Sequence, residues 1–568
     1  MKQIIECVPN FSEGRDMTII KSITDAIENA AEVKLLDVDP GQATNRTVVT
    51  FVGEPDAVVE AAFQGVKRAA ELIDMRHHHG AHPRMGATDV LPLIPVAGIT
   101  LEECAALSRK LAERIATELN IPTYCYEAAA FTPERKNLAV CRAGEYEALP
   151  EKLGHEGKGA DFGDRPFDDE AARTGATTVG ARDFLIAVNF NLNTTSIRRA
   201  NAIAFDVREK GRPAREGGKL TGKPLKDENG KPVMIPGTLK STKAIGWYID
   251  EYGIAQVSMN ITDTNVTPLH KAFDEVCRAA AARGIRVTGT EIVGLVPKKT
   301  LIEAGKHYLR MQQRSLGIPE REIVRMAIKS MGLDELRPFK PEEKVIEYML
   351  EADAKPAKRL VDLTCRGFAE ETASESPAPG GGSISAYMGA LAAALGTMVA
   401  NLSAHKAGWD ERWEEFSDIA EKGQTLMEEL LHLVDKDTDA FNRIMDVFAM
   451  PKGTDEEKAA RAEALEKATE YACEVPLETM EASLRTFGIL AEVAEKGNPA
   501  SVSDAGVGAL AARAAVHGAG LNVRINAAGL KNHELADKFV AAAAETEAQA
   551  DEAEKSIIEK VNTIISSK

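Results

Sequence analysis

The sequence predicts an α/β plus all-α protein: two tandem α/β sandwich subdomains followed by an all-helical bundle domain. Three observations carry this. Up to about residue 300, short β-type runs alternate with amphipathic segments, the pattern of helices laid over a sheet. Residues 337–358 hold prolines at 338, 341 and 356 among many charges, which marks a boundary. Beyond it the chain is rich in Ala, Glu and Lys with long helical periodicity, as in a bundle of five or six helices. The expected limits are 1–181 and 182–337 for the subdomains, 338–356 for the linker and 357–568 for the bundle.

In the first subdomain, strands are expected at 3–8, 34–38, 46–52, 88–94 and 123–126, with helices at 17–31, 55–73 and 101–119. The second subdomain alternates in the same way, with strands at 184–191, 244–250, 255–260 and 288–296 and helices at 195–210, 268–282 and 300–316. GATDVLPLIP at 86–95 echoes GTEIVGLVP at 289–297, a hint of internal duplication. Paired α/β units offer a cleft between them, a common place for a ligand.

Composition narrows the function classes. The 568 residues are 44% hydrophobic and 27% charged, ordinary for globular proteins. Lys and Arg number 69 against 87 Asp and Glu, a formal charge of −18. General nucleic-acid binding, which depends on neutralising phosphates, is disfavoured, and 5% aromatics leave little for base stacking. Seven dispersed cysteines without a CxxC pair argue against a disulfide framework and for a reducing, cytoplasmic setting. The opening MKQIIECVPNFSEGRD meets a proline and several charges too early for a secretory signal. Between Glu375 and Lys406 no residue is charged. The Gly, Ala and Ser content there fits a tightly packed helix better than a membrane span.

The densest polar cluster is RHHHGAHPRMGATD at 76–89, with four of the eleven histidines in six residues. Three readings compete: acid–base chemistry by a neutral imidazole, a metal site without standard zinc spacing, and a solvated loop. Under the first, His82 is the best candidate, followed by a backbone-fixing Pro83 and by Arg84, a nearby carboxylate anchor. A basic, Gly- and Pro-rich stretch carries Arg208, Lys210, Arg212, Arg215, Lys219, Lys223, Lys226, Lys231, Lys240 and Lys243. It reads either as an attractor for a polyanionic small molecule or as a solvated linker loop.

In the bundle, PAPGGGS at 377–383 opens a helix with glycine-exposed backbone N–H groups, suited to a carboxylate or phosphate. The helix at 409–450 has an apolar stripe of Phe416, Ile419, Leu426, Leu430, Leu433, Phe441, Ile444 and Phe448. Extending it from Leu433 lands on Asp437, with Asp435 and Asp439 to the flanks. An acid there is either used, with its pKa raised by burial, or paired, for instance with Arg513 or Arg524, or it lies at a partly wet edge of the stripe.

Longer motifs carry a resemblance. ECVPNFSEG at 6–14, LLDVDPG at 35–41, NRTVVTFVG at 45–53 and HPRMGATDV at 82–90 resemble the formiminotransferase domain. PAPGGGS and LVDKDTDAF at 433–441 resemble the cyclodeaminase domain. The chain is thus similar, nearly end to end, to the bifunctional formimidoyltransferase-cyclodeaminase family. The resemblance implies transfer of a formimino group from N-formimino-L-glutamate to tetrahydrofolate. It also implies closure of 5-formiminotetrahydrofolate to 5,10-methenyltetrahydrofolate with loss of ammonia, in histidine breakdown. It makes His82 the transferase residue and Asp437 the cyclodeaminase acid. It assigns folate contacts to Gly163, Gly175, Gly237, Thr238 and Leu239, and the helix-opening Gly380, Gly381 and Gly382 are expected to join them. Asn10, Asp39 and Arg84 are expected to orient His82 or to hold substrate carboxylates. Tetrahydrofolate is the co-substrate, with a polyglutamate tail that the basic loop would hold, and no metal is required. A homo-oligomer is implied, and small-residue helices near 389–397 and 505–520 suit subunit packing. No nucleic-acid or membrane partner is expected. A folate-binding or scaffolding protein, or an enzyme with one activity retained, are the alternatives.

Overall fold

The computed structural model describes residues 3–41, 45–80, 83–218, 222–353 and 359–567. His82 and Lys219 lie outside the described residues. The first subdomain comprises β1 (Ile4–Cys7), β2 (Asn10–Phe11), α1 (Met17–Glu28), β3 (Val33–Gly41), β4 (Arg46–Gly53), α2 (Pro55–Leu72), β5 (Thr88–Ala97), α3 (Leu101–Glu118), β6 (Thr123–Glu127), α4 (Leu138–Cys141), α5 (Leu149–Lys152), α6 (Asp169–Thr174) and β7 (Thr177–Ala181). The strands form one mixed sheet. β1, β2, β3, β4 and β5 pair antiparallel, whereas β7 runs parallel to both β5 and β6.

The period-2 alternation of the strands divides this sheet's faces. Ile5, Cys7, Val49, Phe51, Leu91, Leu93, Cys125 and Val179 pack into one core with α1, α2 and α3. On the opposite face Val90, Tyr124 and Tyr126 form a smaller cluster with Cys141, Leu149 and Ala171. β2 and β7 were not expected from sequence. β2 has two residues, and the TTVGA of β7 has neither an alternating pattern nor a bulky run.

The second subdomain holds β8 (Ile186–Leu192), α7 (Ile197–Val207), β9 (Arg212–Pro213), β10 (Met234–Ile235), β11 (Thr242–Ile249), β12 (Ile254–Ile261), α8 (Leu269–Ala281) and β13 (Val287–Val293). Its main sheet is antiparallel in the order β11-β12-β8-β13. The basic stretch folds as a ribbon: β9 pairs with β10, and Arg215–Pro224 and Lys226–Pro232 bridges extend it.

The remainder is helical: α9 (Lys298–Met311), α10 (Glu320–Met331), α11 (Pro341–Lys344), α12 (Ile346–Asp353), α13 (Cys365–Thr372), α14 (Gly381–Ala404), α15 (Trp413–Ala449), α16 (Asp455–Lys496), α17 (Val502–Ala527) and α18 (His533–Ser566). The chain forms two compact units, Met1–Thr300 with Met331–Glu351, and Leu301–Ser330 with Ala352–Lys568. Most of α9 and α10 thus packs with the bundle. Leu316 N donates to Ser417 Oγ (3.0 Å), Asn401 Nδ2 donates to the Gly317 carbonyl (2.7 Å), and a Cβ at Gly317 would stand 2.2 Å from the Ala420 backbone. Residues within the expected linker are anchored in the first unit. Val345 and Ile346 are fully buried there, with Val296 N donating to Lys344 O (3.0 Å) and Ile346 N to Val296 O (3.1 Å). α14 is long and apolar enough to cross a membrane, but 61% of its most apolar window is buried within the protein.

One buried acid affects the whole first unit. Glu6 of β1 is 4% exposed, and burial pushes its carboxyl up to about 7 in spite of the Arg182 charge. A carboxyl raised from 4.5 to about 7 binds its proton more tightly in the folded chain. Its contribution to stability is therefore complete at low pH and is lost as pH rises through about 7. At about 1.36 kcal/mol per pKa unit, the loss approaches about 3 kcal/mol. Glu6→Gln is expected to remove this decline from urea-unfolding free energies taken at about pH 5 and pH 8. An identical decline in the variant would contradict the assignment.

Candidate active sites

In the first unit, a cavity of about 1090 Å³ opens over the sheet face that carries Val90, Pro92 and Tyr126, at the carboxyl ends of β6 and β7. Val90, Pro92, Tyr126, Glu127 and Arg182 line it from the sheet. Arg142, Gly144 and Glu145 come from the loop after α4, and Lys243, Asn260 and Asp263 from the second subdomain. Asn10, Arg46 and Pro83 complete the wall beside the histidine-rich loop.

The wall is built on a buried charge. Asp89 is fully buried, accepts the Met85 N–H (2.9 Å) and pairs with Arg142. Burial pushes its carboxyl up, and the Arg142 and Arg46 charges hold it back. Arg46 donates to Asn10 Oδ1 and is itself pushed down by burial. The Pro83–Ala87 segment is pinned on several sides. Ser12 Oγ donates to the Gly86 carbonyl (2.7 Å), Ala87 N to Thr174 O (2.8 Å) and Ala176 N to Met85 O (3.1 Å). Gly175, at φ +68°, approaches so closely that a Cβ would lie 2.2 Å from Met85 O.

The sequence-derived residues divide. Asn10 lines the cavity. Asp39 is exposed and shares its face, because Asp39 and Asn10 both register with Val48. The two lie two strand spacings apart, about 10 Å. Arg84 is buried with its guanidinium on Glu147 (2.7 Å) and Glu145 (3.3 Å), so its charge is already matched within the chain. Of the other histidines, His78 is buried with Nε2 2.8 Å from Asn45 O, while His77 and His79 are exposed. Burial pushes His78 down.

The expected folate-contact residues of this unit do not line the cavity. Gly163 packs over Ala116 of α3. Gly237 lies where a Cβ would meet Arg208 O at 1.9 Å. Thr238 N donates to Asp206 O (3.1 Å), and the buried Leu239 donates to Val207 O (2.9 Å). Close backbone approach accounts for the glycines, and Gly237, Thr238 and Leu239 brace the start of β11, which carries Lys243.

In the second unit, the acid and the glycines meet. Ser383 Oγ donates to Asp437 Oδ2 (2.8 Å), and the Ser383 N–H also serves this carboxylate. The contact sets Asp437 at the first turn of α14, where unpaired N–H groups and the helix dipole favour negative charge. Burial nevertheless raises its pKa, and the Ser383 hydrogen bonds oppose the rise. Gly382 is required there: a Cβ would stand 2.1 Å from Asp437 Oδ1. Gly381 faces the Asn522 amide, and Gly380 caps the helix. The expected ion-pair partners are engaged elsewhere, Arg513 on Asp551 (2.5 Å) and Arg524 on Glu547 (2.8 Å). Asp435 accepts Leu360 N (2.7 Å), and Asp439 is exposed.

The apolar stripe of α15 requires a correction. Phe416, Ile419, Leu426, Leu430 and Leu433 are buried, but Phe441 is 38% and Phe448 52% exposed, and Ile444 is half-buried. α15 packs antiparallel on α14, as the Gly423–Thr397, Leu430–Gly389 and Asp437–Ser383 contacts show. α14 begins at Gly381, so the turns of α15 beyond Asp437 have no α14 to cover them.

Three family models match the chain: "Formiminotransferase domain, N-terminal subdomain" over residues 4–182, "Formiminotransferase domain" over 187–351 and "Formiminotransferase-cyclodeaminase" over 364–545. Formimidoyltransferase-cyclodeaminase of Mus musculus is 42% identical over 93% of this chain and 93% of its own length. That of Dictyostelium discoideum is 40% identical over 98% and 99%. Glutamate formimidoyltransferase of Streptococcus pyogenes serotype M1 is 41% identical over 55% of this chain and 95% of its own.

The chain belongs to the formimidoyltransferase-cyclodeaminase family.

Within the family frame, the two subdomain matches cover the cavity lining except Asp183 and Leu185, and the third covers Asp437 with its glycine-rich helix start. Sequence reading missed Glu127, Arg142 and Arg182 of the charged wall and had Lys243 only as part of the basic stretch. A charged residue at the end of an apolar strand, as in TYCYE, was the available signal.

Proposed function

We infer that the chain is a two-site enzyme. It transfers the formimino group from N-formimino-L-glutamate to tetrahydrofolate, releasing L-glutamate. It then cyclises 5-formiminotetrahydrofolate to 5,10-methenyltetrahydrofolate with release of ammonia. The observation that carries this is the Asp437 carboxylate, raised by burial and seated on the α14 start, in a chain that also has a charge-lined transferase cavity.

In the first step, folate N5 attacks the formimino carbon. Its proton goes to a base, the bond from that carbon to the glutamate nitrogen breaks, and that nitrogen leaves protonated. His82 is assigned both transfers. The pinning of Pro83–Ala87 next to it supports the assignment, since a proton shuttle needs a fixed position. In the second step, N10 attacks the same carbon and the exocyclic nitrogen departs as ammonia. Asp437 takes the N10 proton and returns it to the leaving nitrogen, a role favoured by a carboxyl held above its ordinary range.

Histidine breakdown as the setting and the cytoplasm as the location belong to the same proposal. All seven cysteines are free thiols, in keeping with a reducing compartment. A homo-oligomer is supported by exposed apolar residues at helical spacing: Leu391, Met398 and Leu402 on α14, and Val507, Leu510, Leu521 and Ile525 on α17. Sedimentation equilibrium is expected to show an assembly; a monomer at micromolar concentration would contradict it.

The decisive experiment follows methenyltetrahydrofolate absorbance. His82→Ala is expected to lower the transfer step by about 100-fold or more and to leave cyclisation of supplied 5-formiminotetrahydrofolate intact. Asp437→Asn should do the reverse. Undiminished cyclisation in Asp437→Asn would overturn the second assignment. The polyglutamate tail is assigned to the exposed Lys223, Lys226 and Lys231 of the basic ribbon. Their joint replacement by Gln should abolish any preference for polyglutamylated over monoglutamyl folate, and an unchanged preference would refute that assignment.

A further inference from the structure

The transferase cavity holds charges that His82 chemistry does not use. We propose that Glu127, Arg182 and Lys243 form the subsite that recognises N-formimino-L-glutamate. Glu127 binds the cationic formamidine end, and Arg182 with Lys243 binds a carboxylate of the glutamyl end. The proposal rests on the transferase reading and deepens it.

Elimination leaves four charged side chains, and of these the Asp183 carboxyl already lies within the electrostatic reach of Asp263 and Lys299, which points to the other three. Arg142 is committed to Asp89, Arg46 donates to Asn10, and Glu145 pairs with Arg84. Asp263 accepts the Asn265 and Val266 N–H groups at 2.9 and 3.3 Å. Glu127, Arg182 and Lys243 form no ion pair among the described residues. Arg182 donates from Nη1 to the Asp183 carbonyl (3.0 Å), which leaves the rest of its guanidinium fork available.

Their placement is set by the sheets. Glu127 ends β6 opposite Ala181 in the parallel register with β7, and Arg182 follows Ala181. Both residues line the cavity at these neighbouring strand ends. Lys243 enters from β11, on the wall contributed by the second subdomain. Both cations act electrostatically on the Glu127 carboxyl. Glu127 also holds φ +49°, in the left-handed region that non-glycine residues seldom occupy. Such outliers persist where a side chain must be aimed at a ligand.

The substrate has matching chemistry. A formamidine is strongly basic and cationic near neutrality, with parallel N–H donors that fit a carboxylate in two-point fashion. Its other end is a dicarboxylate, for which a guanidinium fork and an ammonium are the complementary groups.

The test uses the full-length chain. Glu127→Gln and Arg182→Ala are each expected to raise the KM for formiminoglutamate by about tenfold or more, as loss of a charged hydrogen bond does. The KM for tetrahydrofolate and the cyclisation of supplied 5-formiminotetrahydrofolate should stay unchanged. Two competitive probes separate the roles. Formamidinium inhibition should weaken in Glu127→Gln and persist in Arg182→Ala, whereas glutarate inhibition should weaken in Arg182→Ala and persist in Glu127→Gln and Arg182→Lys. An unchanged KM for formiminoglutamate in both variants, or a raised KM for tetrahydrofolate in its place, would overturn the proposal and leave the transferase reading standing. A wild-type chain without formiminoglutamate-dependent activity would overturn both.

Discussion

Holding carboxylates partly or wholly away from water against hydrogen-bond donors is the constraint on which both units turn. Asp437 shows it most directly. Its burial disfavours the charged form, and the first turn of α14 supplies the opposing N–H groups. The balance leaves a carboxyl held above its ordinary range. That contact exists because residue 382 has no Cβ to intervene. The glycine run in PAPGGGS is therefore a steric condition of the Asp437 position.

Asp89 plays the same part structurally in the first unit. Fully buried, it gathers the Met85 N–H and Arg142 around itself, with Arg46 close enough to act on it. The pair ties the histidine-rich loop to the loop after α4. Breaking such a pair leaves an uncompensated interior charge, which costs far more than the intact pair contributes. Gly86 and Gly175 add a second tie, since their backbones pass within a distance that no side chain would permit. The segment that follows His82 is thus held by backbone approach and by a buried charge together.

Much of the architecture was readable in the sequence because periodicity reports burial directly. Strands such as 46–52 and 88–94, and helices such as 55–73, appear close to where alternation and helical spacing put them. The elements that escaped, β2 and β7, are short and lack an alternating apolar pattern, and their extended form comes from neighbours already in place. The division into units also escaped. α9 and α10 look like a continuation of the α/β pattern, yet Gly317 and Leu316 dock them on the bundle through contacts about 100 residues away in sequence.

The same divide runs through the sites. The sequence by itself determined that an acid interrupts the apolar stripe of α15, that a glycine-rich segment starts a helix and that histidines crowd one loop, because residue type and spacing are local properties. The tertiary structure decided which of these meet. It brought Asp437 to Gly382 and Ser383 across 54 residues, matched Arg84 to Glu147 within the chain, and set Glu127 beside Arg182 at the ends of parallel strands. Partners of that kind depend on strand register and helix packing, which are settled by contacts distant in sequence, and no local pattern encodes them.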